Sequence, residues 1–350
     1  MNTALGGVAA SGFEQAIEPR EFSFPDDHGM HPGFRNEWWY VTGNLAADDG
    51  RRFGYQVTFF RIALSPPAEA ESSLSSHSSW SANQVWMAHI ALTDIQGQQH
   101  FHDQRFARGA AGLAGQQDQP FRVWLEDWQL VGGRAAEFPW AVTAKGAGFS
   151  LNLQLMPEKP VVLQGENGLS RKSAGAGNAS YYYSLTRLTT VGEVYLGGER
   201  FVVDGLSWLD REWSTSVLSE DQVGWDWFSL QLEDGNDLMF FQLRDASGQA
   251  DENSAGKWVY AGGHAEKLGR RDVLLKPLRQ WCDDEGSGVC YPVQWAVELP
   301  GWNLQWLVEA VVDDQLMQTG ITYWEGAVQV SDANSGKLLG RGYLEMSGYE

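Results

Sequence analysis

The sequence predicts a two-domain, all-β protein, and three observations carry that prediction. The first is a hairpin pattern that occurs twice. Glu37-Trp38-Trp39-Tyr40-Val41-Thr42-Gly43-Asn44-Leu45 runs through Asp48-Asp49-Gly50 into Phe53-Gly54-Tyr55-Gln56-Val57-Thr58-Phe59-Phe60-Arg61. Gly224-Trp225-Asp226-Trp227-Phe228-Ser229-Leu230 runs through Asp234-Gly235 into Leu238-Met239-Phe240-Phe241-Gln242-Leu243-Arg244. Each copy has a tryptophan pair, a strand, an acidic-Gly turn, an aromatic strand and a closing arginine. An acidic residue followed by Gly between apolar runs marks a hairpin, because the turn needs positive φ. We read a loose internal duplication, each copy opening one domain. The second observation is composition: 17 Trp, 16 Phe, 11 Tyr and 40 Gly suit short aromatic strands joined by tight turns. The third is the rhythm of the chain, in which strand patterns recur between turn signals and no long amphipathic helix interrupts them. Such spacing means a sandwich or a barrel, and a hairpin-connected run favours an up-and-down barrel, whose closure removes exposed edges.

Taken in order, residues 1–20 read as loosely ordered and residues 24–32 as a turn-rich approach to the first hairpin. Residues 65–82 are polar and serine-rich and are expected to be a mobile loop, either a lid or plain disorder. Strands are predicted over 84–94, 121–130, 141–144 and 149–155, the last alternating apolar and polar residues as a half-buried strand does. Residues 107–119, small and Gly-rich, read as a loop or a short helix, and residues 165–179 as a Gly/Ser/Ala loop. Strands resume over 181–188 and in a hairpin over 192–205. Residues 206–218 form the junction, so the domains are expected over 20–215 and 216–350. Beyond the second copy, strands are predicted at 258–263, 273–275, 291–299, 304–311, 320–330 and 340–346. A length of 350 residues is ample for two cores.

The net charge of −20 argues against nucleic acid and against a polybasic membrane contact. No apolar window approaches the length needed to span a bilayer. Residues 1–10 are too short for a signal sequence and lack a basic start, so either the protein is cytoplasmic or a leader precedes this numbering. Cys282 and Cys290, the only two cysteines, flank a Gly-rich acidic loop and are disulfide candidates across its base, which favours an oxidising compartment. There is no phosphate-cradling loop, no nucleophile elbow and no dinucleotide fingerprint, so no cofactor is expected.

Two acidic-aromatic clusters are the candidates for chemistry. The first combines Asp27-His28-Gly29-Met30-His31-Pro32 with Glu37-Trp38-Trp39-Tyr40. The second combines Leu209-Asp210-Arg211-Glu212-Trp213 with Trp225-Asp226-Trp227-Phe228. Buried carboxyls hold their protons to higher pH and can act as acids, and tryptophan faces stabilise cations. Asp210, Arg211, Glu212 and Asp226 are therefore the candidate catalytic residues. Trp213, Trp225, Trp227, His89, Glu37 and Trp39 are the candidate ligand contacts. On an extended strand Asp210 and Glu212 share one face, with Arg211 and Trp213 on the other. The plainer reading makes Asp210-Arg211-Glu212 a structural ion-pair cluster and the Trp pairs core. His28 and His31 with Glu37 could ligate a metal, but a turn held by histidine hydrogen bonds is the expectation. His89 alternates with Val85, Met87 and Ala91 and is expected to point into the first barrel.

These motifs resemble the AttH / carotenoid 1,2-hydratase (hydroxyneurosporene synthase) family. The matching pieces are Asp27-His28-Gly29-x-His31-Pro32, Glu37-Trp38-Trp39-Tyr40-x-Thr42-Gly43, Leu209-Asp210-Arg211-Glu212-Trp213, Gly224-Trp225-Asp226-Trp227-Phe228 and Gly342-Tyr343-Leu344-Glu345-x-x-Gly348-Tyr349. They span nearly the whole chain in order, and the match is closer to the AttH branch. The resemblance implies two lipocalin-like (calycin) barrels packed together, a fold used to hold an apolar ligand. It also implies an extracytoplasmic, periplasmic setting beside a lipid-type export system. Some relatives are hydro-lyases on isoprenoid chains, and distant fungal relatives guide pericyclic cyclisations. The carotenoid hydratases carry a histidine where Arg211 stands and a Tyr-x-Asp pair where this chain has Leu238-Met239-Phe240-Phe241, so carotenoid hydration itself does not carry over. In lipocalin-like barrels a first-strand Trp packs under a last-strand Arg, which implies Trp38 or Trp39 near Arg187 and Trp225 or Trp227 near Arg341.

The functional expectation is binding or carriage of a hydrophobic molecule, a lipid or isoprenoid, in a barrel or between barrels. The alternative is a cofactor-free hydro-lyase or isomerase on such a molecule. A third reading is a structural partner of an export complex. Carboxylates inside a shaped apolar cavity would favour the enzyme, and a cavity without them the carrier.

Overall fold

The computed structural model describes residues 11–67, 83–215, 218–219 and 221–349. Most of the expected mobile loop, residues 68–82, lies outside the described residues. The first sheet contains β1 (Asn36–Ala47), β2 (Arg52–Ala63), β3 (Gln84–Asp94), β4 (Gln99–Arg108), β5 (Ala114–Asp118), β6 (Phe121–Leu125), β7 (Trp128–Val131), β8 (Trp140–Gly146), β9 (Phe149–Pro157), β10 (Val162–Leu163), β11 (Leu169–Arg171), β12 (Ala179–Leu196) and β13 (Glu199–Ser214). The second contains β14 (Gln222–Leu232), β15 (Asp237–Asp245), β16 (Ala255–Val259), β17 (Ala265–Gly269), β18 (Leu274–Cys282), β19 (Cys290–Leu299), β20 (Leu304–Ala310), β21 (Leu316–Gln318), β22 (Thr322–Asp332) and β23 (Leu338–Ser347). The described residues include three 3₁₀ turns and no helix long and apolar enough to cross a membrane.

Both sheets are antiparallel meanders whose first strand pairs with the last. β1 pairs with β13 and β14 with β23, while each hydrogen-bonded path opens after its fourth strand, between β4 and β5 and between β17 and β18. The duplication extends to the turns. Gly50 N donates to Ala47 O and Ala47 N to Arg51 O; Gly235 N donates to Leu232 O and Leu232 N to Asn236 O. Gly50 and Gly235 both have φ +86°, the left-handed region that glycine enters without steric cost.

The first sheet curls into a nearly closed barrel, whereas the second remains a half-barrel. The expected all-β pair of antiparallel barrels is present, the second in half-barrel form. β18, at the open edge of the second sheet, carries Pro277, which lacks a ladder donor, and register shifts on either side of Arg279. Cys282 and Cys290 are cross-strand partners at the end of this strand and form a disulfide.

Three cores follow from strand alternation. Trp39, Val41, Tyr55, Val57, Trp86 and Leu209 fill the first barrel. Phe228, Leu230, Trp295, Trp306 and Trp324 fill the second. The opposite faces meet between the sheets, where Tyr40, Tyr182 and Trp208 pack on Trp227, Phe241 and Tyr343, with Met87 and Ala91 against Met317 and Tyr323 beside them. The sheets approach closely at Gly54, where an added Cβ would come within 2.5 Å of the Ala327 Cβ. Gly54→Ala should therefore overpack this seam and cost about 1–2 kcal/mol in urea unfolding.

Candidate functional site

The faces that meet between the sheets do not fill the space they share. A cleft of about 870 Å³, counted with its open mouth, lies against the outer face of the first barrel and the outer face of the half-barrel. The period of two along each strand decides what reaches it. Trp38 and Tyr40 come from β1, Asp210, Glu212 and Ser214 from β13, and Tyr182 from β12. Trp225 and Trp227 of β14, Phe241 and Leu243 of β15, Tyr323 of β22 and Glu345 of β23 line the other wall. Register brings these together: Tyr40 pairs with Asp210, Trp38 with Glu212, and Trp227 with both Phe241 and Glu345. Lys172, from the loop after β11, closes one side.

Asp210 is buried and accepts from the Tyr182 hydroxyl at 2.5 Å, the Ser184 hydroxyl at 2.5 Å and the Trp208 indole at 2.7 Å. Burial pushes its carboxyl up to about 7, against the downward pull of those three donors. Glu345 accepts from the Trp225 indole at 2.7 Å. Burial, with Asp210 and Glu212 adding like charge, pushes it up to about 7 as well. Beneath the cleft Tyr40 donates to buried Glu325, whose carboxyl is raised by burial and by Glu345. The Tyr323 hydroxyl meets His89 Nδ1 at 2.7 Å. Lys172 pairs with Glu212 at 3.1 Å and lies 4.3 Å from the Phe241 ring centre.

The alternation predicted for β13 puts Arg211 and Trp213 on the opposite face, inside the first barrel. Arg211 bonds buried Glu37, which also accepts from Arg61 and from the His31 backbone N–H at 3.1 Å. His31 stacks on Trp213 at 3.7 Å, and Arg211 lies 3.8 Å above Trp39. His28 meets the Tyr183 hydroxyl at 2.6 Å. This cluster plugs one end of the barrel. Glu37, Trp39, Arg211 and Trp213 therefore belong to the plug, and Trp225, Trp227, Asp210 and Glu212 to the cleft.

Three further placements differ from expectation. His89 faces the second sheet rather than the barrel interior, because Trp86, Ala88 and Ile90 occupy the inward positions of β3. Asp226, between two cleft tryptophans, turns into the half-barrel, where Tyr349 donates to it at 2.8 Å and Arg244 approaches to 3.2 Å. The expected Trp–Arg stack forms with Arg211, the register partner of Trp39, and not with Arg187. Arg187 instead binds Asp237 of the second sheet at 2.7 Å. Arg341 is exposed and pairs in register with Gln231 and Gln329, several residues along β14 from Trp225 and Trp227. Sequence reasoning missed Tyr40, Tyr182, Lys172, Tyr323 and Glu345 as site residues. Glu345 carried a signal, since it sits in the closing Gly-Tyr-Leu-Glu motif; Lys172, in a Gly/Ser loop, carried none.

The family model described as AttH-like matches residues 15–349. The chain belongs to the AttH-like family. A crystal structure assigned to AttH from Nitrosomonas europaea is similar at 36% identity and a TM-score of 0.84, covering 97% of this chain and all of that one. Kievitone hydratase from Nectria haematococca shares the fold at 13% identity and a TM-score of 0.67, over 96% of this chain and 98% of that one. CghA does so at 11% identity and a TM-score of 0.55, over 97% of each chain. No protein with a curated description matches. The fold of AttH-like proteins is thus one that a hydratase and CghA also use.

Proposed function

We propose that this AttH-like protein binds an apolar small molecule, a lipid or isoprenoid, in the inter-sheet cleft and carries out cofactor-free acid–base chemistry on it, adding or removing water or moving a double bond. One observation carries this reading: an aromatic-walled cleft presents two carboxyls, buried Asp210 and half-buried Glu345, each raised to about 7. A carboxyl titrating there supplies both a proton donor and a proton acceptor at neutral pH. Glu345 engages one neutral donor and keeps acceptor capacity free, which suits it to exchange a proton. Asp210, fixed by three donors, suits the partner role through the Tyr182 hydroxyl.

In the hydration direction Glu345 passes its proton to an alkene carbon, leaving a carboxylate and a carbocation. Water adds to the cation and its surplus proton returns to a carboxylate, so the sum is alkene plus water to alcohol. Carriage without turnover needs the same apolar walls but gives the two titrating carboxyls no role. The Cys282–Cys290 disulfide and the family resemblance support an extracytoplasmic location.

The test is organic extraction of gently purified protein followed by mass spectrometry, with Trp225→Ala beside the wild type. An apolar compound is expected from the wild type and several-fold less from the variant. Equal retention by both would move the ligand out of the cleft and overturn the reading.

A further inference from the structure

Acidic side chains outnumber basic ones around the cleft. Asp210, Glu212 and Glu345 face it, and Lys172 is the one cation among its described lining residues. Lys172 is already committed to Glu212. Asp210 and Glu345 are held by uncharged donors alone, with no cationic side chain at ion-pair distance among the described residues. The Ser214 hydroxyl, on the same wall and 1% exposed, has no hydrogen-bond partner among the described residues. Carboxyls removed from water call for a counter-charge, and an orphaned buried hydroxyl calls for a partner. The walls supply the rest: Trp38, Trp225 and Trp227 bring indole groups to the cleft, and Phe241 already lies against the Lys172 ammonium. Aromatic rings with nearby carboxylates form a cage for organic cations.

We propose that the cleft selects an occupant bearing positive charge, its cationic centre held between Glu345 and Asp210 against the tryptophan rings. This rests on the cleft reading above and names the charge of what the cleft takes. A permanent amine and a carbocation formed by protonating an alkene present the same charge to this cage. Positive-mode mass spectrometry of the extract separates them, since only the amine is itself basic. An extract dominated by an anionic lipid would overturn the proposal.

The direct test compares decyltrimethylammonium, decanol and decanoate, equal in chain length and different in head charge. Binding is followed by quenching of tryptophan fluorescence at about 0.3 M salt, where exposed charges are screened. The cationic probe is expected to bind about tenfold more tightly than the alcohol, with decanoate weakest. Glu345→Gln should bring the cation close to the alcohol. The overall charge of −20 attracts any cation, but that attraction survives a single substitution, so a preference unchanged in Glu345→Gln would overturn the proposal. So would equal binding of cation and alcohol by the wild type, which leaves the apolar cleft intact. Failure of all three probes to bind would overturn the cleft reading, and this inference with it.

Discussion

Glu37→Gln should destabilise the protein by about 3–5 kcal/mol, measured as a loss of urea midpoint at pH 7. Glu37 is fully buried and serves two guanidinium groups, Arg61 at 1% exposure and Arg211 at 0%. Removing its charge strands both cations inside the barrel end, beneath Trp39 and Trp213. Breaking a buried pair costs far more than forming it gains, because the surviving charge keeps its desolvation penalty without its partner. Burial alone would raise the Glu37 carboxyl; Arg61 and Arg211 overcome it and hold the group well below its ordinary value of 4.5. A depressed carboxylate contributes stability that is present above its unfolded pKa and lost as pH falls through the folded one. The gap between variant and wild type should therefore be full at pH 7 and narrow in acid. A surface pair such as Arg270–Glu252, removed by Glu252→Gln, is the control and should move the midpoint by less than about 1 kcal/mol.

The plug and the cleft occupy opposite faces of the same strand, and this explains what the sequence made legible. Strand alternation separated Asp210 and Glu212 from Arg211 and Trp213 before any contact was known. The tryptophan pairs marked the first strand of each sheet: Trp39 points inward and Trp38 to the inter-sheet face, whereas Trp225 and Trp227, two residues apart, both reach the inter-sheet face. Which face is the site was not legible. Alternation gives two faces, and only the packing of one sheet on the other decides which becomes a cleft and which a filled core. For that reason Asp226, on the wrong parity beside Trp225 and Trp227, read as a site residue but lies in the half-barrel. For the same reason Glu345 and Tyr182 were passed over: they meet the cleft through partners more than a hundred residues away in the case of Trp225. Composition showed that the chain is rich in strands. Where each sheet opens, between β4 and β5 and between β17 and β18, is a long-range outcome that no local pattern carries.

Glu345→Gln should separate stability from function. Glutamine can keep the bond from the Trp225 indole while removing the titrating proton. Because the Glu345 pKa is raised from 4.5 to about 7, the folded state binds more protons than the unfolded chain between those values. Stability of the wild type accordingly falls as pH rises through that window and levels off above it. The variant stays neutral throughout, so it should match the wild type near pH 4 and exceed it by about 1–2 kcal/mol at pH 8; the lower figure reflects the water at the cleft mouth. Turnover of the compound recovered by extraction should fall by about 10²–10⁴, the usual loss when a positioned acid is removed. A group that held the sheets together would behave oppositely, since its removal would lower the urea midpoint at pH 8. A variant that is more stable and inactive would instead identify Glu345 as a group kept under strain for chemistry, because a purely structural carboxyl has no reason to remain ionisable where its charge costs stability.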